Sequence, residues 1–198
     1  PYKTREGDAL PLRVLLDQMK AGAIDRVTAS LADKGYGSDE LADISAKVGM
    51  AALKFADLSN PRTTNYIFDL EKFLSFEGKT GPYLLYATVR IKSVLEKAGE
   101  SPAGTSVRIV EPAERDLVLA LAGFAPAMQA AYDKRMPHIL CDHAYTLAQA
   151  FSKFYASCRI SDEADEALRQ SRLKLAGTTG RQLELVLATL GIDVPERM

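Results

Sequence analysis

Two tyrosines and two cations along one helical stretch are the residues in this sequence best suited to recognition chemistry. When the segment after Pro82 is wound at about 100° per residue, Tyr83, Tyr86, Arg90 and Lys97 fall into a single stripe. Aromatic faces interleaved with cations let unpaired nucleic-acid bases stack while their phosphates are neutralised. The same spacing equally suits tyrosines packed at a core edge with their hydroxyls in water. Spacing alone leaves both readings open. Tyr155, in SKFYASC, presents the same choice, because it sits beside the apolar stripe Leu140, Ala144, Leu147, Phe151 and Phe154. There a buried-edge tyrosine is the plainer reading.

Other chemistry-bearing residues are less well arranged. His138, Cys141 and His143 are of the types zinc prefers. On a shared helix, however, His143 points away from the other two, and no fourth ligand is close in sequence. No metal site is expected. A hydrolase built on Cys141, His143 and Asp142 fails for the same reason, since adjacent helical residues cannot face one another. Arg169, Arg172 and Lys174 are interspersed with Asp165 and Glu166, which reads first as a solvated face.

The elements that must position these residues are helical. Apolar residues recur at three and four, and two-residue alternation is almost absent. A first segment spans about Leu10 to Ser59, with breaks expected at Ala21-Gly22 and at Lys34 to Ser38. Ser38 is its expected N-cap before Asp39 and Glu40, followed by the core positions Ile44, Val48, Ala51, Ala52 and Phe55. Asn60-Pro61 reads as a turn, Thr63 to Asp69 as a short extended stretch, and Leu70 to Ser75 as a helical turn or two. After the loop FEGKTG, Pro82 suits the first position of a helix whose core face is Leu84, Thr88, Ile91, Leu95 and Ala98, with Gly99 as its stop. A polar linker, GESPAGTS, leads to helices near Pro112, Pro126 and Pro137 and to a last one after Ser161-Asp162-Glu163 that ends before Gly191. The closing GIDVPERM reads as a frayed terminus.

The chain has 198 residues, 47% of them apolar, which is enough to bury a substantial core. No run reaches the ~18 apolar residues of a membrane span and no basic-then-apolar leader opens it, so a soluble cytoplasmic protein is expected. Cys141 and Cys158, without a secretory signal, predict reduced thiols. A formal net charge of −1 excludes a broadly cationic nucleic-acid binder, so any RNA site must be local. Pro1 in place of Met, opening straight into PYKTREGD, predicts that the chain is cut from something longer.

The stretch LKFADLSNPRTTNYIFDLEKFLSFEGKTGPYLLYATVR, Leu53 to Arg90, resembles the segment of arginyl-tRNA synthetases that joins the catalytic core to the anticodon-binding domain. The elements KxADL, RTTxYxFD and LSFEGxTGPYLxYA, with an Arg shortly after, occur in order. The ending RQSRLKLAGTTGRQLELVLATLGIDVPERM resembles that family's C-terminus, where a leucine-glycine hinge precedes a closing ERM. PYKTREGDALPLRVLLDQM resembles its counterpart of the lysine-rich signature loop of class I synthetases.

This resemblance implies an all-α helical bundle of the class I anticodon-binding (DALR) type, residues 59–198, preceded by the tail of the catalytic region, residues 1–58. The parent enzyme would attach arginine to tRNA(Arg) using ATP with Mg2+. The resemblance matches Tyr83, Arg90, Tyr155 and Met198 to positions that contact or shape the anticodon loop. Tyr86 shares their stripe, and Phe76 lies in the Ser75–Thr80 loop, which matches one that moves with RNA. Lys3 would help hold ATP phosphates. The partners implied are tRNA(Arg) and the catalytic region upstream of Pro1, with no DNA and no membrane. The chain alone would be inert and hold no cofactor. The competing reading is a helical protein-interaction module that uses the Tyr83/Tyr86 surface without binding RNA. A free-standing metal enzyme would need a metal near His138.

Overall fold

In the computed structural model, the structure describes residues 11–32, 34–65, 67, 69–99 and 101–198. Among these there are eight helices and no strand: α1 Leu12–Leu31, α2 Ser38–Leu58, α3 Leu70–Phe73, α4 Gly81–Ala98, α5 Pro112–Ala122, α6 Phe124–Lys134, α7 His138–Ser157 and α8 Glu166–Thr189. The expected all-α bundle is what forms. α1 packs on α2, α2 on α4, and α4 on α8 and α7, while α5 and α6 close over α7 and α8.

The stripes read from spacing are the buried ones, except that Leu95 and Ala98 at the end of the α4 stripe are only partly buried. Ile44, Val48, Ala51, Ala52 and Phe55 of α2 join Leu84 and Ile91 of α4 and Leu140, Ala144, Leu147, Phe151 and Phe154 of α7 in one continuous core. α2 and α4 approach so closely that a Cβ on Gly81 would lie 2.5 Å from the carbonyl carbon of Ala51, and closer still to its oxygen. α4 begins with the Thr80 hydroxyl accepting from the Tyr83 N–H at 3.2 Å, carries Pro82 in its first turn, and ends at Gly99 with φ 80°.

Four expectations are corrected. α1 runs unbroken through Ala21 and Gly22; Gly22 lies where the Leu74 side chain presses on the helix, and tertiary packing overrides its poor propensity. Ser38 is the first helical residue and Gly37 the cap, with no side-chain bond to the first turn. Of the expected extended stretch, Thr64 instead closes a turn on Pro61 with a 2.9 Å backbone bond, and positions 66 and 68 fall outside the described residues. The terminus is ordered. α8 closes with Ile192 N–H donating to Leu187 (2.8 Å) and Gly191 N–H to Ala188 (2.9 Å), Gly191 being left-handed at φ 71°. Ile192 and Pro195 are then buried.

The fifth correction is Arg172, which is only 4% exposed rather than on a solvated face. Its Nε donates to Glu114 at 2.7 Å, and its Nη1 donates to Glu163 at 2.6 Å and to the Arg159 carbonyl at 2.8 Å. Glu114, fully buried, also accepts from the backbone N–H of Val110 (2.6 Å) and Glu111 (2.9 Å). Burial would raise the Glu114 pKa, but these N–H groups and the guanidinium together hold it below the usual carboxylate range. The polar linker is strapped to α8 by Ser171 Oγ, which accepts from Arg108 N–H at 2.8 Å, and by Lys174, which donates to the Thr105 carbonyl at 2.8 Å.

Candidate nucleic-acid interface

The candidate residues gather in two places on α4, one helical turn apart. In the first, the Arg90 guanidinium lies over the Tyr155 ring at 4.1 Å. Tyr155 in turn packs on Phe151, with ring centres 6.0 Å apart. No described carboxylate forms an ion pair with Arg90, so its charge is held by an aromatic face rather than cancelled. Nearby, Tyr83 meets Tyr145 edge to face at 5.7 Å, and its hydroxyl is 3.4 Å from Ser152 Oγ. Tyr83 is thus a half-buried core-edge tyrosine with a polar partner.

The second cluster is a cavity of about 310 Å³ lined by Phe76, Tyr86, Met198, Leu31, Lys34 and Glu77, among others. Tyr86 remains 43% exposed. Hence the two tyrosines divide between the readings left open by spacing: one packs, the other faces a cavity. Met198 reaches the cavity because the preceding tail is anchored at several points. Lys54 donates to the Gly191 carbonyl, and Arg197 donates to Glu40 in two bonds, one of 2.7 Å, with its guanidinium 4.7 Å from the Tyr36 ring centre. The Arg197 hydrogen bond holds the Glu40 pKa below the ordinary carboxylate value.

Phe76 sits in a loop that is internally tied. Thr80 Oγ1 donates to the Ser75 carbonyl at 2.6 Å, Glu77 N–H donates to Ser75 Oγ at 3.1 Å, and Lys79 pairs with Asp142 of α7. Lys97 is exposed at the end of α4, away from both clusters along the helix. Lys3 lies outside the described residues.

The supposed metal and hydrolase residues are packed in the bundle. Cys141 is fully buried and burial pushes its thiol up to about 12, far from a nucleophile. His143 is buried against Phe124, at 5.9 Å between ring centres, and burial lowers its pKa. Among the described residues no three His, Cys, Asp or Glu side chains assemble as a metal would require.

Sequence reasoning missed Tyr145, Ser152 and the Lys79–Asp142 pair. Their signal was present: His138, Tyr145 and Ser152 repeat every seven residues along α7, with Asp142 and Gln149 flanking them, and so share one face.

The helical bundle thus carries an aromatic surface with one stacked cation and a cavity that the Met198 side chain helps to line. Residues 84–198 match the DALR anticodon binding domain, and residues 1–70 match the catalytic domain of class I tRNA synthetases (R). The chain belongs to the DALR anticodon-binding family of the arginyl-tRNA synthetases. It is similar to the arginine–tRNA ligases of Hyphomonas neptunium (54% identical over 100% of this chain) and Maricaulis maris (50% over 99%), and covers 34% of each. The chain therefore spans about a third of the length of these relatives. It also superposes on the Thermus thermophilus arginyl-tRNA synthetase with a TM-score of 0.79 at 32% identity, covering 92% of this chain and 32% of that one.

Proposed function

We propose that this chain is the tRNA(Arg)-recognising part of an arginine–tRNA ligase, with residues 59–198 as the anticodon-binding unit and residues 1–58 as the end of the catalytic region. Unpaired anticodon bases stack on Tyr155 and Tyr86, Arg90 meets a phosphate or base edge, and Phe76, Tyr86 and Met198 form a receptacle for one splayed nucleotide. Tyr83 positions α7 against α4. The observation that carries this reading is the fold-back of Met198, from the far end of the sequence, into one cavity with Phe76 and Tyr86. A side chain so anchored costs little further ordering on binding, which favours recognition.

The longer enzyme would be cytoplasmic and use ATP with Mg2+ to activate arginine. No chemical step of that reaction is assigned to the described residues. Among the described residues no helix is long and apolar enough to cross a membrane. The test is a mobility shift with tRNA(Arg) and with the same tRNA carrying a changed anticodon. The wild-type chain should prefer the former, and Tyr155→Ala or Arg90→Ala should erase the preference. Equal binding to both, or none, would leave the aromatic surface to a protein partner.

A further inference from the structure

The corner between α6 and α7 departs from a rule that the other described residues obey. α6 closes with Met136 N–H donating to Ala131 at 3.1 Å and Arg135 N–H to Tyr132 at 3.3 Å. This is the same pair of bonds that closes α8, where Ile192 and Gly191 donate to Leu187 and Ala188. The motif forces one residue into the left-handed region, normally glycine. At the end of α8 that residue is Gly191; at the end of α6 it is Arg135, with φ 55° and ψ 42°. Among the described residues Arg135 is the only non-glycine with positive φ. A side chain is thus kept where folding alone favours none, and such departures gather at functional sites.

What Arg135 does there is visible. Its guanidinium lies 4.4 Å from the Tyr132 ring centre, and Tyr132 is 64% exposed, so the stack faces water rather than core. Beside it is a cavity of about 390 Å³ lined by Asp57, Asn60, Arg62, Thr64, Met136 and His138, among others. The Nδ1 atom of His138 is buried there with no hydrogen-bond partner. Arg62 lines this cavity, and Lys134 and Arg135 immediately precede its Met136 in the chain. None of the three cations forms an ion pair with a described carboxylate. In a chain of net charge −1, this is a local surplus.

The corner also connects to the Arg90–Tyr155 cluster. Along α7 the corner lies about 25 Å from Tyr155, at about 1.5 Å per residue. Asp142, the only carboxylate on α7, is neutralised by Lys79. We infer that Arg135, Tyr132 and Arg62 form a second contact for RNA backbone, taking a phosphodiester on the cations and a ribose or base face on Tyr132. One RNA then lies along α7 from the anticodon cluster to this corner. The inference rests on the RNA-binding reading above and extends it to a surface which that reading does not use.

Arg135→Gly is the decisive variant, because glycine suits the left-handed backbone there better than the native residue, so a loss of binding is separable from a loss of folding. It is tested with Arg62→Ala, Tyr132→Ala and, for comparison, Arg90→Ala, by fluorescence anisotropy with tRNA(Arg) across a salt series. Arg135→Gly should melt no earlier than wild type and bind several-fold more weakly. Its plot of log affinity against log salt should be shallower by about 0.7–0.9, the yield of one lost phosphate contact. Wild-type affinity and slope in Arg135→Gly, with Arg90→Ala impaired, would overturn the corner contact and leave the RNA reading intact. A shift in oligomeric state with unchanged RNA binding would assign the corner to protein association and overturn it as well. Absence of tRNA binding by the wild-type chain would remove both readings.

Discussion

Replacing Arg172 by methionine tests whether the buried charge knot is understood. The substitution keeps most of the side-chain volume but removes the bonds at 2.7 Å to Glu114, 2.6 Å to Glu163 and 2.8 Å to the Arg159 carbonyl. Glu163 can turn toward water, but Glu114 is fully buried and cannot. Breaking a buried pair from one side costs about 3–5 kcal/mol, because the remaining charge is left without compensation. For a chain of this size each kcal/mol moves the melting temperature by about 2–4 °C, so a drop of roughly 6–20 °C is expected at neutral pH. The pH dependence has a definite sign. In the native chain the Glu114 pKa is held down, so its contribution is present above the unfolded value, about 4.3, and is lost as pH falls through the lower native value. In Arg172→Met, burial is opposed only by the two backbone N–H groups, and the carboxylate takes up a proton at higher pH. The gap between variant and wild type should therefore narrow on acidification, and Arg172→Met/Glu114→Gln should recover part of the loss at neutral pH. Thermal melts followed by circular dichroism over a pH series make the measurement. A loss under about 1 kcal/mol, or a gap that stays constant toward pH ~4, would show that Glu114 is not held as an uncompensated anion.

Three further outcomes are expected. Gly81→Ala should destabilise by about 1–3 kcal/mol or more, because the added methyl meets the Ala51 backbone rather than a movable side chain, and this outweighs the helix-propensity gain of at most ~1 kcal/mol; a raised melting temperature would refute the close approach. Cys141, with its thiol pushed up to about 12, should react with a thiol reagent only as fast as the chain opens; a labelling burst at Cys141 in native buffer would contradict its burial. Deleting Arg197 and Met198 should weaken tRNA binding about ten-fold, as loss of one base contact does, while thermal stability changes little; unaltered binding below saturation would remove Met198 from the site.

Much of the architecture was legible because burial follows periodicity. The stripes of α2, α4 and α7 need only residue types and spacing, and Thr80-Pro82 and Gly99 mark the ends of α4 by backbone chemistry. What was illegible depends on distant partners. Arg172 looks like a surface residue until Glu114, 58 positions away, is brought to it. The tail looks frayed until Glu40 and Tyr36 are found beneath Arg197. Of the candidate surface, Tyr83, Tyr86 and Arg90 could be read as a stripe, but not the packing of one tyrosine and the exposure of the other, which depend on Tyr145 arriving from α7 and Met198 from the C-terminal tail.

The contact at Gly81 bears on how far this chain is modular. α2 lies within the span that matches a catalytic domain, and α4 begins the bundle that matches an anticodon-binding one. Where two main chains touch there is no rotamer to adjust, so the helices are welded and not hinged. A graft that takes the bundle alone, cut after Leu58, would strip Ala51, Ala52 and Phe55 from the interior of α4 and expose its most tightly fitted surface to water. On the proposed reading, a recognition unit moved without α2 would therefore lose part of the packing that holds α4 in place.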